Sequence, residues 1–431
     1  MMRTSYLSLL IVCRIRFSNG YKRIIRSGLA PILIGGYLAA LVVSYIWLSL
    51  PVDDPITAMT RAAYRSCLLP FSALLAISLP LLVGTPSGSH SVRTALYEAG
   101  IVNHNNDAPY LLERRKDPRY PQIVVLVFYA ANIAQSLWEE DHKLQVEAAL
   151  GSAVARIEYG ETADYMIVHA AKAGITLPRS VAWDQQYLPK EHTLFALGVS
   201  LLGPYIIDIC NVPHLLLGGE TGSGKSQLLK LLLAQAIMRG DYDITIIDYK
   251  GGVDYGRRWR SRCQMCFDND TLLKVLRAAV EEINRRMELF SEADCSTLDE
   301  YNLKSTDKLR GKIIAFDELA ECTDTNKYLD KGEKAKVTEI IGLLSSIARL
   351  ARFADIHIFA ATQSPLVEVL PSQIRNNLGF RAIGRCDETL SRVVIGKTDA
   401  ATLVPKYIPG RFLTNDDTQF QAYRFTDDML P

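Results

Sequence analysis

The sequence predicts an α/β chain whose core is a parallel sheet covered by helices, preceded by a small α/β middle region and an N-terminal two-helix transmembrane hairpin. Three observations predict it. From about residue 213 onward, short apolar strands alternate with helical runs, the pattern of a parallel sheet with both faces covered. One of those strands runs straight into a glycine-rich loop and then a helix. Near the start, Ala30 to Leu50 and Ser66 to Gly84 are apolar stretches without a charged residue.

The hairpin comes first. At about 1.5 Å per helical residue each stretch reaches roughly 30 Å, enough to cross a hydrocarbon core. Pro51, Asp53, Asp54 and Pro55 lie between them in a segment too short for a domain. The preceding flank, residues 1–29, holds Arg3, Arg14, Arg16, Lys22, Arg23 and Arg26 and no acid. Excess Lys and Arg stay on the cytoplasmic side, so the expected location is the cell membrane, multi-pass, with everything after Gly84 in the cytoplasm. The first stretch starts too late and runs too long for a signal peptide. One-sided charge also disfavours two helices buried in a soluble core.

Composition excludes less. With 48 basic and 47 acidic residues, local patches rather than total charge decide whether nucleic acid binds. Among the eight cysteines only Cys263 and Cys266 have a CxxC spacing. No second pair or nearby His completes a zinc set, so they read as strand residues in a reducing cytoplasm. Asn269, Asp270 and Thr271 form a glycosylation sequon that the topology leaves idle in the cytoplasm.

Residues 92–182 read as an adaptor or oligomerisation module. Ile123 to Tyr129 and Tyr165 to His169 are strand candidates, and Ser136 to Ile157 has helical spacing. Glu113 to Arg119 reads as a basic, solvated loop.

Residues 190–431 carry the chemistry. Pro213 to Leu217 is an apolar strand that enters Gly219, Glu220, Thr221, Gly222, Ser223, Gly224, Lys225 and Ser226, a GxxxxGK[ST] match, followed by a helical run from Gln227 to Met238. Glycines let successive N–H groups curl toward phosphate oxygens, and the helix adds its positive end. Lys225 is expected to reach the β- and γ-phosphates of ATP, and the Ser226 hydroxyl to ligate Mg²⁺. A second half follows at Lys312 to Phe316, a strand ending in Asp317 and Glu318. Asp317 is expected in the magnesium shell and Glu318 as the base that orients and deprotonates water. Ile244 to Ile247 leads to Asp248 and Lys250, and His357 to Ala361 leads to Thr362 and Gln363. Polar residues at such strand ends sit where parallel sheets bind ligands. That makes Gln363 a candidate γ-phosphate sensor, whereas His357 reads as the opening of a strand. The intervening helices are expected at Thr271 to Phe290, with Leu272, Leu276, Ala279, Ile283 and Met287 on one face, and at Val337 to Arg352.

From about Phe195 to Phe412 the chain resembles the FtsK/SpoIIIE family of DNA-translocating ATPases. The resemblance is carried by Ala196 to Ser226 (including Pro213-His214 before the strand), by IDYKGG at Ile247 to Gly252, and by IIAFDELAE. LARFADIHIFAATQSP at Leu350 to Pro365, IRNNLGFRAIGR and the pair Ser391-Arg392 complete it. The resemblance implies a RecA-like P-loop ATPase core in a ring, usually a hexamer, with ATP at subunit boundaries and DNA through the centre. It implies an arginine reaching a neighbour's phosphate: Arg381 first, Arg392 second. Glu220 and the pair Gly251-Gly252 depart from the family pattern. So does the layout, with two spans and no C-terminal winged-helix domain. This reduced layout is similar to the TcpA-like coupling ATPases of Gram-positive conjugative elements, which implies a relaxase and conjugation-channel proteins as partners.

The leading expectation is therefore a membrane-anchored DNA translocase for conjugation. Two alternatives stay open: the ATPase of a protein-secretion system, and a membrane receptor whose ATP state gates recruitment of relaxase or channel subunits. DNA contact is expected to be sequence-independent and salt-sensitive. Tyr255 to Arg262, with four arginines and two aromatics, is the candidate stretch, against the plainer reading of a solvated loop packing one aromatic.

Overall fold

The computed structural model describes residues 6–26, 30–130, 132–134, 137–138, 142–162, 164–364 and 371–431. Arg3, Ser136 and Pro365 lie outside the described residues. The chain divides into two compact units, Met1–Ile175 and Thr176–Pro431.

The first unit opens with three long helices, α1 (Tyr6–Arg26), α2 (Ala30–Ser49) and α3 (Pro55–Gly84). Among the described residues α3 is long and apolar enough to cross a membrane, and α2 contributes a shorter apolar stretch, Gly35–Ser49. The second expected span, from Ser66, is the latter part of one continuous helix. Asp54 caps it by accepting from the Thr57 amide, and Pro55 sits in its first turn, where a missing N–H costs nothing. Asp54 and Pro55, expected in the short segment between the spans, are thus a helix start. Helix α4 (Ser89–Glu98) leads to strands β1 (Tyr110–Lys116) and β2 (Ile123–Tyr129), helix α5 (Lys143–Leu150), and strands β3 (Val154–Tyr159) and β4 (Tyr165–Ala171). They form an antiparallel sheet in the order β1-β2-β4-β3.

Two expectations change in this unit. The helix expected to reach Ile157 stops at Leu150, where Gly151 takes a left-handed conformation with φ 61°, a common helix stop; Ile157 belongs to β3. The basic segment from Glu113 is not a free loop. Glu113 to Lys116 form the outer half of edge strand β1, its inner half buried, and charges there blunt an edge. Asp117 then turns the chain by accepting from the amides of Arg119 and Tyr120.

The second unit begins with β5 (Val181–Ala182), β6 (Leu194–Ser200), β7 (Gly203–Asp208), β8 (Leu215–Gly218) and α6 (Lys225–Arg239). There follow β9 (Tyr242–Ile247), α7 (Arg257–Arg260), β10 (Gln264–Cys266), α8 (Asn269–Glu292), α9 (Leu298–Lys304), β11 (Gly311–Phe316), α10 (Ala320–Thr323), α11 (Lys331–Leu350) and β12 (Ile356–Thr362). The unit closes with α12 (Ser372–Arg375), β13 (Phe380–Ile383), α13 (Glu388–Ile395), α14 (Ala400–Leu403), β14 (Arg411–Thr414) and β15 (Gln419–Arg424).

Ten strands run β10-β9-β11-β12-β8-β13-β14-β15-β6-β7, with β5 beside β15. The half from β10 to β13 is parallel, as the alternating pattern implies. Beyond β13 the ladder turns antiparallel, so the sheet is mixed rather than purely parallel. The antiparallel pairs β6–β7 and β14–β15 are joined by short links, which need no crossover helix. Alternate residues of the central strands feed two cores. Leu215, Leu217, Ile313 and Phe359 pack under α6. Leu216, Ile314 and Ile358 pack under α8 and α11. On α8 the expected apolar face holds Arg286 in place of Met287, which is exposed. The buried Arg286 guanidinium donates to the carbonyls of Ala354 and Arg310 at 2.6 and 2.7 Å and to Glu282 at 2.7 Å, which satisfies it inside a core.

Candidate functional site

Strand β8 ends at Gly218, and the loop to α6 wraps the carboxyl edge of the sheet. Its backbone is accessible only to glycine at two critical points. Gly219 has φ 146° and Gly224 has φ 101°. A Cβ on Gly224 would also meet the Gly410 amide nitrogen at 2.8 Å. The first turn of α6 therefore opens with its N–H groups unscreened, an anion-binding arrangement. The Ser223 hydroxyl is buried in this loop without a hydrogen-bond partner. Such an orphaned donor fits a cradle built for phosphate.

Lys225, almost fully buried, starts the helix. Its Nζ donates to the Asp317 carbonyl at 3.3 Å and stands 3.8 Å from Glu318 Oε2. Burial pulls its pKa down, opposed by Glu318 and Asp317. Glu318 shows the mirror effect. Burial pushes its carboxyl up, opposed by Lys225 and by two donors. Those donors are the Thr362 hydroxyl at 2.9 Å and the Gln363 amide at 2.9 Å. Parallel pairing of β11 with β12 places these strand ends side by side. Gln363 also reaches the loop, its Oε1 accepting from the Thr221 hydroxyl at 2.7 Å.

Asp317 is buried next to Glu318. Lys250 Nζ lies 3.4 Å from its Oδ2, and the Tyr255 hydroxyl 3.4 Å from its Oδ1. Asp248, at the end of β9, accepts from the Lys250 amide and keeps one buried oxygen unpartnered. Gly251 and Gly252 both take left-handed conformations, φ 76° and 78°, and Arg260 donates to the Gly252 carbonyl at 2.8 Å. That gives the departing glycine pair a physical account: it reverses the chain so that Lys250 faces Asp317.

Thus Lys225, Asp317, Glu318 and Gln363 converge on one loop. Ser226 is half-buried in the first turn of α6, and Gln227 is exposed beside it. Gln227 and Gly224 also line an open pocket of about 390 Å³ with Pro409, Gly410, Tyr423 and Phe425. The expected neighbour-reaching arginines are elsewhere. Arg381 lies within β13, where Nη1 points to the Val394 carbonyl at 3.5 Å and Nε is buried without a partner. Arg392 is exposed on α13.

Sequence reasoning missed Arg385. Its Nε lies 3.1 Å from Glu220 Oε2 and its Nη2 donates to the Thr221 carbonyl at 2.6 Å. The Glu220 amide donates to the Arg385 carbonyl at 2.8 Å. The unusual acid in the loop is therefore a latch to the segment after β13. No local motif marks Arg385, because its partner is 165 residues away.

The candidate DNA-contacting stretch is also corrected. Tyr255 and Trp259 are fully buried, so neither is available for base stacking. Arg258 donates to the carbonyls of Asp427, Asp428 and Leu430, and Arg260 to that of Tyr255. The stretch is thus spent on holding the end of the chain and the Asp317 carboxylate in place. His357 is structural: its ring bonds the Pro213 carbonyl and Asp355, each at 2.7 Å.

Three comparisons with known proteins bear on this arrangement. A model of the FtsK/SpoIIIE family matches residues 181–316. The DNA translocase FtsK of Helicobacter pylori (strain J99) is 30% identical over 217 residues, which is 48% of this chain and 24% of that protein. The DNA translocase SftA of Bacillus subtilis is 28% identical over 223 residues, 49% of this chain and 22% of that protein. The chain spans about a quarter of the length of these curated relatives. Among solved structures, the pCW3 conjugation coupling protein TcpA, in a monomer form with ATPgS, aligns with a TM-score of 0.59 at 30% identity. That alignment covers 80% of this chain and 96% of the TcpA chain.

Proposed function

The chain belongs to the FtsK/SpoIIIE family and has a P-loop ATPase fold, and from that premise we propose that it is a membrane-anchored, ATP-driven DNA translocase acting as a coupling protein for conjugation. The observation that carries the motor reading is Glu318 held at 2.9 Å by both Thr362 and the Gln363 amide, beside a buried Lys225. The likeness to TcpA over most of both chains supports the conjugative role. Anchoring is supported by α3 and by the basic flank before α2.

In this reading the loop from Gly219 to Gly224 wraps the phosphates of ATP with its N–H groups, and Lys225 turns from Glu318 to the β- and γ-phosphates. Freed of that ion pair, Glu318 accepts the proton of the attacking water, aimed by its two donors. Ser226 and Asp317 would hold Mg²⁺, which would neutralise phosphate charge there. For Asp317 this requires Lys250 to withdraw. Gln363, tied to Thr221, senses the γ-phosphate. The nucleoside end fits the pocket beside Gln227. Subunits form a ring, a hexamer by family resemblance, in which Arg381, with Arg392 second, reaches a neighbour's site. Relaxase and channel proteins are the partners this role requires. Residues 92–182 serve as the adaptor between anchor and motor, residues 190–431.

The test is ATP hydrolysis by the detergent-solubilised full chain, with and without single- and double-stranded DNA, alongside Lys225→Ala. Stimulation of several-fold that fades with rising salt, with a silent variant, is the expected outcome. Turnover indifferent to both DNA forms at low salt would remove the translocase reading.

A further inference from the structure

Helix α1 has a side that nothing in the first unit covers. Tyr6, Leu10, Phe17 and Tyr21 recur at spacings that keep them on one helical face, and all four are exposed, Tyr6 at 87% and Leu10 at 68%. The opposite side is spoken for. Val12 is buried against Tyr110, Leu112 and Tyr129. Arg16 donates to the Leu111 carbonyl at 3.0 Å, and Arg23 to the Val83 carbonyl at 3.1 Å. The three other basic residues, Arg14, Lys22 and Arg26, are exposed; Arg14 borders the apolar stripe, and Lys22 and Arg26 lie further round the helix. The helix contains no acid.

Its position is fixed by a glycine crossing. A Cβ added to Gly20 would overlap the Pro80 carbonyl, and one added to Gly84 would overlap that of Arg16. The two backbones therefore touch at the C-terminal end of α3, the most membrane-like helix described. An apolar, aromatic-rich stripe on a helix whose only charges are cations, pinned to the end of such a helix, has the makeup of a helix that lies in a bilayer interface.

We propose that α1 lies flat on an anionic lipid surface at the cytoplasmic end of α3. Tyr6, Leu10, Phe17 and Tyr21 enter the acyl boundary, and Arg14, Lys22 and Arg26 meet phosphate headgroups. The inference rests on the membrane-anchored reading above. It adds a lipid-charge preference that a simple hairpin anchor lacks, since each basic residue near such a surface contributes about five-fold in affinity.

The test uses the full chain in vesicles, with a photoreactive phenylalanine analogue replacing Phe17, Tyr21 or, as a reference, the exposed Leu74 of α3. Vesicles are phosphatidylcholine alone or mixed with phosphatidylglycerol. The expected result is lipid adducts at positions 17 and 21, several-fold more abundant in the mixed vesicles. Combining Arg14→Gln, Lys22→Gln and Arg26→Gln should erase that difference while leaving the Leu74 adduct unchanged. Adducts at position 74 with none at 17 and 21, or equal yields in both vesicles, would overturn this proposal and leave the anchor standing. Absence of adducts at position 74 as well would overturn both.

Discussion

Glu318 and Lys225 illustrate how a buried pair is set before any substrate arrives. Burial raises the carboxyl and lowers the ammonium, so each is stable as an ion chiefly because of the other. The consequence for turnover has a definite sign. Glu318 works as a base only when ionised, and its raised pKa means that protonation sets in at a higher pH than for an ordinary glutamate. The acid limb of the kcat profile should therefore lie above the usual carboxylate value of about 4.3, and Glu318→Gln should leave only a low, pH-flat rate. A limb at or below that value would contradict the assignment. Asp317 is constrained differently, by Lys250 and the Tyr255 hydroxyl. These contacts engage both of its carboxylate oxygens.

Among the elements, β8 and β12 are joined by a side chain as well as by their ladder. The Ile358 amide donates to Nδ1 of His214 at 3.0 Å. Burial, and then His357, push the His214 pKa down from 6.5 to about 3. The unfolded chain thus takes up a proton near pH 6.5 that the folded chain refuses until about pH 3. Stability contributed by neutral His214 is lost as pH falls through that window, on the order of 5 kcal/mol in all. Urea midpoints measured from neutral to acid pH should fall more steeply for the natural chain than for His214→Asn, which keeps an acceptor without the titration. Parallel slopes would remove His214 from the account. The elements themselves were unevenly legible. Strand β2 matches its expected bounds, and β8, β9, β11 and β12 lie where apolar runs ended in polar residues, because a strand buried on both faces is written in consecutive apolar residues. The loop and the strand end at Asp317 and Glu318 were legible because their chemistry fixes residue types at fixed spacing. Strands β6, β7, β14 and β15 were not singled out: they form two local hairpins, and what ties these into the sheet is the pairing of β15 with β6 and of β14 with β13, between segments far apart in sequence. Tyr255 and Trp259 looked like a nucleic-acid surface because exposure is decided by packing against α6 and Phe425, which no local pattern records. Arg385 was hidden for the same reason.

At the scale of the whole molecule, the position of Arg381 matters. Within one chain it donates toward the Val394 carbonyl rather than toward Lys225 or Glu318, so a catalytic role requires a second copy. Arg381→Ala and Lys225→Ala should each be silent alone, yet mixing the two variants should restore part of the DNA-stimulated rate, because some sites then pair an intact Lys225 with an intact Arg381. No recovery at any mixing ratio, with ring assembly intact, would exclude Arg381 from that role. A last consequence follows from how the second unit begins. Arg411 donates to the carbonyls of Leu177 and Pro178, β5 pairs with β15, and Tyr187 stacks on Tyr423 at 4.6 Å. In the proposed motor, held at its first unit while its second hauls on a polymer, tension entering at Thr176 would be grounded in β14 and β15, at the antiparallel side of the sheet. Strand β11, which leads to Asp317 and Glu318, lies on the far, parallel side, whereas Gly410, next to β14, donates to the Ser223 carbonyl, so the phosphate loop is the part of the site that such a load reaches first.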